Sequence, residues 1–115
     1  MHIYSFEKLE VWKLARDLCV YIYKVTSGFV SQMRRASISI ASNIAEGSSR
    51  MSKKDQSHFY TISFSSTIEL LNQLIISHAL TFITENQLQE ARLKIEPITK
   101  GLSNLKRSTL KPLNI

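Results

Sequence analysis

Apolar residues return at alternating spacings of four and three through almost the whole chain, the period of one face of an α-helix. Val11, Ala15, Leu18, Ile22 and Val25 form such a seam, with Trp12, Cys19 and Tyr23 as a second stripe beside it. Met33, Ala36, Ile40 and Ile44 mark a second segment. Phe64, Ile68, Leu71, Ile75, His78 and Phe82 keep the spacing through a third, and Leu88, Ala91, Ile95, Ile98, Leu102 and Leu105 through a fourth. With 3 Gly and 2 Pro in 115 residues, the chain lacks the turn residues of a many-stranded fold. Its 43% hydrophobic content excludes disorder.

These segments predict helices over about 6–26, 31–46, 53–82 and 85–106 in a single domain spanning 1–115, with a frayed tail at 108–115. The fold class expected is all-α, an antiparallel up-down-up-down four-helix bundle with short loops. The alternative is a three-helix core with the fourth segment docked across it. Local signals agree with the boundaries. Gly28 suits a stop after the first helix, and Gly47 a left-handed position just past the second. Ser52 with Asp55, and Thr84 with Gln87, have the spacing of capping boxes. Pro97 inside the fourth segment removes a backbone bond and clashes with the Leu93 carbonyl, so a kink or break is expected there.

The apolar arcs differ in width. On a wheel of about 100° per residue, the fourth seam spans about 100°, while the first two segments span about 200°. The third carries Phe59, Leu70 and Leu74 beside its seam, then Ile62, Ile76 and Leu80 further round. One short bundle cannot cover three such helices, so a homo-oligomer built by segments one to three is expected.

A polar ridge interrupts the second segment. Arg35, Ser39, Asn43 and Glu46 fall within about 80° of one another. Glu46 opposes the helix dipole in the last turn unless paired, and Arg50 or an arginine of another subunit is the expected partner. The ridge reads either as a ligand or nucleic-acid contact or as a hydrogen-bond network fixing register. The second reading is preferred, because Asn and Arg at bundle interfaces specify register.

Fifteen basic against nine acidic residues leave +6, which suggests a polyanionic partner, nucleic acid before a membrane surface. Arg34, Arg50, Lys53, Lys54, Arg92, Lys94, Lys100, Lys106 and Arg107 are the candidate phosphate contacts, with Lys111 beyond them. The junction of segments two and three and the end of segment four are expected at opposite levels of the bundle. That arrangement implies a distributed basic surface, not one patch.

Little points to chemistry. His58 and His78 stand about 30 Å apart along one helix and cannot share a metal. His78 lies on the apolar seam and reads as a core histidine, and Cys19 as a buried thiol. No Glu-x-x-His pair, glycine-rich phosphate loop or nucleophile elbow occurs, so no catalytic residue, metal or cofactor is assigned. The N-terminus has no basic stretch leading into an apolar run, and no apolar run approaches the ~20 residues of a spanning helix. A cytoplasmic protein without a membrane partner is expected.

Two strings carry a family resemblance. Phe6-Glu-x-Leu9-x-Val11-Trp12-Lys13-x-Ala15, and Gln32-Met33-Arg34-Arg35-Ala36-Ser37-x-Ser39-Ile40-Ala41-Ser42-Asn43-Ile44-Ala45-Glu46-Gly47, resemble the four-helix-bundle proteins encoded in intervening sequences of bacterial 23S ribosomal RNA genes. Phe59-Tyr60 followed by Ser65-Ser66-x-x-Glu69-Leu70 fits the family's third helix. The resemblance is strong over 6–82. It implies an up-down bundle that assembles as a homopentamer. A related branch, the accessory protein of diversity-generating retroelements, is a basic pentameric barrel that binds nucleic acid and a reverse transcriptase. Trp12, Arg35, Ser39, Asn43, Glu46 and Gly47 are this chain's structural signature positions, and Arg34 matches the same motif. Two departures stand out. The connection at Phe29-Val30 is shorter than is usual in the family, and Pro97 interrupts the fourth helix.

The sequence therefore supports a non-catalytic oligomer that binds RNA or DNA through a basic surface. The alternative is a protein-interaction scaffold docking on residual apolar surface or on the Arg35–Glu46 ridge.

Overall fold

A computed structural model describes residues 1–26 and 31–110. A 3-10 turn at Ser5–Lys8 leads into four helices: α1 (Glu10–Val25), α2 (Ser31–Ser48), α3 (Lys53–Ala79) and α4 (Glu85–Leu110). Among the described residues there is no strand, and the architecture is an all-α four-helix bundle. The expected stop at Gly28, the short connection at Phe29-Val30, Lys111 and the end of the tail lie outside the described residues.

The helix ends follow from their residues. Ser52 Oγ accepts the Asp55 backbone N–H at 3.1 Å and starts α3. Before α4 the box is complete: the Gln87 N–H donates to Thr84 Oγ1 at 3.1 Å, and the Thr84 N–H to Gln87 Oε1 at 2.9 Å. The turn closing α3 returns two bonds, Thr81 N–H to the His78 carbonyl and Phe82 N–H to the Ser77 carbonyl. That is a Schellman turn, with Thr81 in the left-handed region at φ 64. It ends α3 at Ala79, three residues before the limit expected from the seam.

Three expectations about single residues change. Gly47 does not follow α2 in a left-handed cap but lies inside the helix, buried. It is small because α3 crosses there: an added Cβ would come within 2.8 Å of Tyr60 Cε1 and 3.0 Å of Phe59 Cβ. Pro97 does not break α4, which runs through it to Leu110 and takes in Ser108–Leu110 of the expected tail. Pro97 is exposed, so the carbonyl it leaves unbonded lies on the solvent side. The first segment does not begin as α-helix at Phe6, since the 3-10 turn precedes α1.

Each helix packs against its two neighbours, with α4 closing back on α1, and among the described residues the diagonal pairs do not touch. Neighbours run antiparallel. Tyr21 Oη donates to the Gln87 carbonyl at 3.1 Å at one end of the α1–α4 seam, while Gly101 sits against Val11 at the other. Burial, then the nearby Glu90 carboxylate, holds the Tyr21 phenol above its usual pKa. Between α2 and α3, Met33 meets Ser77, Ile40 meets Ser63, and Gly47 meets Tyr60.

The core confirms two seams and reassigns one. Val11, Ala15, Leu18 and Ile22 of α1 are buried, as are Leu88, Ala91, Ile95, Ile98 and Leu102 of α4. On α3 the buried face is Tyr60, Ser63, Ser66, Thr67, Leu70, Leu74 and Ser77. Half of the seam expected there turns outward, with Ile68 47% exposed, Ile75 39% and Phe82 58%, while Phe64 and Leu71 stay partly buried against the core. The four-and-three spacing holds, but its phase is rotated, because Ser63 and Thr67 occupy inward positions that apolar periodicity passes over. Ser63 Oγ bonds the Ile40 carbonyl and Thr67 Oγ1 the Ser63 carbonyl, so neither hydroxyl is stranded. No described helix is long and apolar enough to cross a membrane.

Candidate nucleic-acid interface and polar ridge

Six of the nine candidate phosphate contacts lie at one end of the bundle. Helices that alternate in direction bring the end of α2, the start of α3, the start of α1 and the end of α4 to the same level. Phe64 of α3 lines a groove with Lys100, Asn104 and Arg107 of α4, which fixes that level directly. The expectation of opposite levels is therefore corrected. Arg50, Lys53, Lys54, Lys100, Lys106 and Arg107 share an end, while Arg92 and Lys94 lie in the other half of α4, and Arg34 and Arg35 at the far end of α2.

Their commitments differ. Lys53, Lys54, Lys106, Arg107 and Arg92 have no carboxylate within ion-pair distance among the described residues. Lys100 pairs with Glu96 at 3.1 Å and Lys94 with Glu90 at 3.7 Å. Arg50 reaches Glu46 at 3.2 Å and lies 4.6 Å over the Phe59 ring. Lys53 and Lys54 stand in the first turn of α3, where the helix dipole disfavours cations and favours anions.

Arg34 belongs to the fold more than to the surface. It is half-buried, and its Nε donates to Thr26 Oγ1 at 3.1 Å. Its terminal nitrogen donates to the carbonyls of Thr26 and Tyr23, and its guanidinium lies 4.6 Å from the Tyr23 ring centre. It thus caps α1, whose last carbonyls have no partners within the helix. That local role was not legible in a motif of two adjacent arginines.

The polar ridge of α2 is a network on α3. Ser39 Oγ lies 2.8 Å from Ser66 Oγ, and Asn43 Nδ2 donates to Ser39 Oγ at 3.0 Å and to the Ser39 carbonyl at 2.8 Å. Glu46 finds its partner in Arg50 of the same chain. Arg35 stands exposed beside Gln32, Ser39, Ser66 and Glu69. Trp12 packs edge-on to Phe6 at 5.1 Å, with Arg16 5.5 Å over its ring.

Two residues read as interior are not. His78 sits at the end of α3, partly exposed, with Nε2 2.9 Å from Glu85 Oε2 across the turn to α4. Cys19 is half-buried, accepting a long contact from Ser37 Oγ at 3.5 Å, and it lines an apolar groove between α1 and α2. That groove, about 560 Å3 in volume, is also formed by Trp12, Val20, Tyr23, Ile38 and Ala41. Sequence reasoning placed these side chains on broad arcs but did not pair them into a groove.

A model of the 23S rRNA-intervening sequence protein family matches residues 7–104. The match runs from the 3-10 turn to the last turns of α4 and includes the whole polar ridge. A comparison with curated proteins gives no match.

Proposed function

The chain belongs to the 23S rRNA-intervening sequence protein family, and we propose that it works without catalysis, as a homo-oligomer that binds RNA or DNA through the basic end of its bundle. The observation that carries the reading is the gathering of Arg50, Lys53, Lys54, Lys106 and Arg107 at one end, four of them without a carboxylate partner among the described residues. Two lysines against the dipole of α3 oppose the fold locally, which a phosphate bound between them and the helix N-terminus reverses. Side chains of this kind read charge and backbone shape, not base edges.

The family resemblance supports a ring of five. In a cyclic assembly the same end of every copy faces the same way when the bundles stand along the axis, so the basic ends add. Binding is then steeply salt-dependent. The test is titration of a labelled structured RNA and a DNA duplex at two salt concentrations. Binding at low salt that weakens with salt, and weakens further in Lys53→Glu/Lys54→Glu, supports the proposal. Absence of binding at low salt overturns it.

The second reading is a protein-interaction scaffold, favoured by the open groove between α1 and α2. A protein partner retained at high salt, where phosphate contacts are screened, would support it.

A further inference from the structure

Phe64 of α3 is half-buried. It packs against the core and also lines the groove of about 420 Å3 between α3 and α4 at the basic end. The rest of that groove is polar: Thr99, Lys100, Ser103, Asn104 and Arg107 of α4. Elsewhere α4 meets the bundle with Leu88, Ile95, Ile98 and Leu102, all buried. Around Phe64 it instead presents hydroxyls, an amide and two cations, and among the described residues no carboxylate lines the groove. Apolar packing alone does not call for that lining, because polar groups beside a ring gain nothing from its burial.

The polar groups have capacity to spare. Asn104 Oδ1 accepts from Arg107 Nη1 at 3.1 Å, which orients the amide and leaves its two N–H donors for another acceptor. Thr99 Oγ1 donates to the Glu96 carbonyl at 2.9 Å and keeps its own lone pairs. The Arg107 partner is neutral, so its charge stays unbalanced. Lys100 pairs with Glu96, but both side chains are exposed, at 72% and 63%, and such a pair within one helix contributes little and yields to another anion. Lys100, Asn104 and Arg107 stand four and three residues apart, one stripe about 11 Å long on α4.

A ring, free amide donors and cations on one short stripe are the parts with which proteins hold single-stranded nucleic acid: the base stacks on the ring, the amide meets a base edge, and the cations meet phosphate. Bases inside a duplex are stacked and paired, so none of them reaches a ring set between two helices. We propose that the Phe64 groove takes one unpaired base of an RNA or DNA strand. The base stacks on Phe64, the Asn104 amide donates to an acceptor on its edge, and Arg107 and Lys100 hold the flanking phosphates. The inference rests on the nucleic-acid reading above and adds the substrate class, strands that carry an unpaired nucleotide in preference to regular duplex.

The experiment uses the full chain and three hairpins of one sequence, made as RNA and as DNA: fully paired, with one bulged adenine, and with an abasic site in place of that adenine. Affinities are read by fluorescence anisotropy at low salt. The bulged adenine is expected to bind about tenfold tighter than the other two hairpins, the size of one base stacked on an aromatic ring. Phe64→Leu keeps the contact with the core and removes the ring, so it is expected to bind all three hairpins as the wild type binds the paired one. Phe64→Tyr keeps the ring and the preference. Asn104→Ala, at an exposed position, weakens the preference without touching the core. Circular dichroism checks that each variant keeps its helices. Equal affinity of the wild type for the bulged and abasic hairpins in both polymers overturns the proposal, as does a preference that survives in folded Phe64→Leu. If Phe64→Leu does not fold, a preference unchanged in Asn104→Ala overturns it. Absence of binding to every hairpin overturns the nucleic-acid reading itself, while equal binding to all three overturns the base site alone.

Discussion

Ser63 Oγ of α3 donates to the Ile40 carbonyl of α2 at 2.8 Å, and both residues are fully buried. A hydroxyl at the centre of the core lets two helices approach closely where larger side chains would hold them apart. Ser63→Ala removes the bond but leaves the carbonyl its place in the helix ladder, so a loss of about 0.5–1.5 kcal/mol is expected. Ser63→Leu, which restores the apolar pattern that periodicity favours, overpacks the contact and is expected to cost about 1–3 kcal/mol. Urea denaturation of both variants at equal chain concentration reads the order, and Leu is the worse.

Gly47 gives a second measure of the same approach. Alanine is the better helix former by about 1 kcal/mol, so a solvent-facing glycine would gain stability on substitution. Here the new Cβ meets Tyr60 Cε1 at 2.8 Å and Cδ1 at 3.0 Å, contacts that force α2 and α3 apart. Gly47→Ala is therefore expected to lower the melting temperature, with a net loss of about 1–2 kcal/mol. A gain in melting temperature would show that Tyr60 moves aside freely.

The legibility of this fold tracks the size of the buried side chains. In α1 and α4 the core is made of large apolar residues, and Val11, Leu18, Ile22, Ile95, Ile98 and Leu102 announced it by spacing alone. In α3 the inward positions Ser63 and Thr67 are small and hydroxylated, and the apolar repeat runs along the flank of the helix, with Phe64 and Leu71 against the core and Ile68 and Ile75 exposed. Periodicity reports where apolar residues lie on a helix, not whether they face their own chain or another. The ridge of α2 was legible because Ser39, Asn43 and Glu46 share an arc. The convergence of Arg50, Lys53 and Lys54 with Lys106 and Arg107 follows from helix direction alone, yet it needed the levels placed correctly.

Thr81 holds φ 64 at the Schellman position after α3, where a β-branched residue is strained and glycine is not. Its hydroxyl bonds only the neighbouring Leu80 carbonyl, so little is lost with the side chain. Thr81→Gly relieves about 1–2 kcal/mol of backbone strain against glycine's extra freedom in the unfolded chain, for a net gain of about 0.5–1 kcal/mol. Thr81→Asn, which tolerates the left-handed region, is expected to fall between. Thermal melts of the three proteins check the order Gly, Asn, Thr.

Arg34 and the pair Lys53–Lys54 are expected to separate stability from the proposed nucleic-acid binding. Arg34 spends its donors on Thr26 Oγ1 and on the carbonyls of Tyr23 and Thr26, tying the end of α1 to α2. Arg34→Ala strands those acceptors and is expected to cost about 1–3 kcal/mol. It is expected to leave the salt dependence of the proposed binding unchanged, because its donors are engaged within the chain. Lys53→Ala/Lys54→Ala behaves in the opposite way. Removing two cations from the first turn of α3 costs no stability and adds about 0.3–1 kcal/mol for each. If both contact phosphates, the slope of log K against log salt falls by about 2 for each copy engaged. Denaturation and salt titration on the same two variants therefore give a crossed pattern. A lost salt slope in Arg34→Ala without a loss of stability would move that arginine to the binding surface. An unchanged slope in the lysine variant would remove α3's first turn from it.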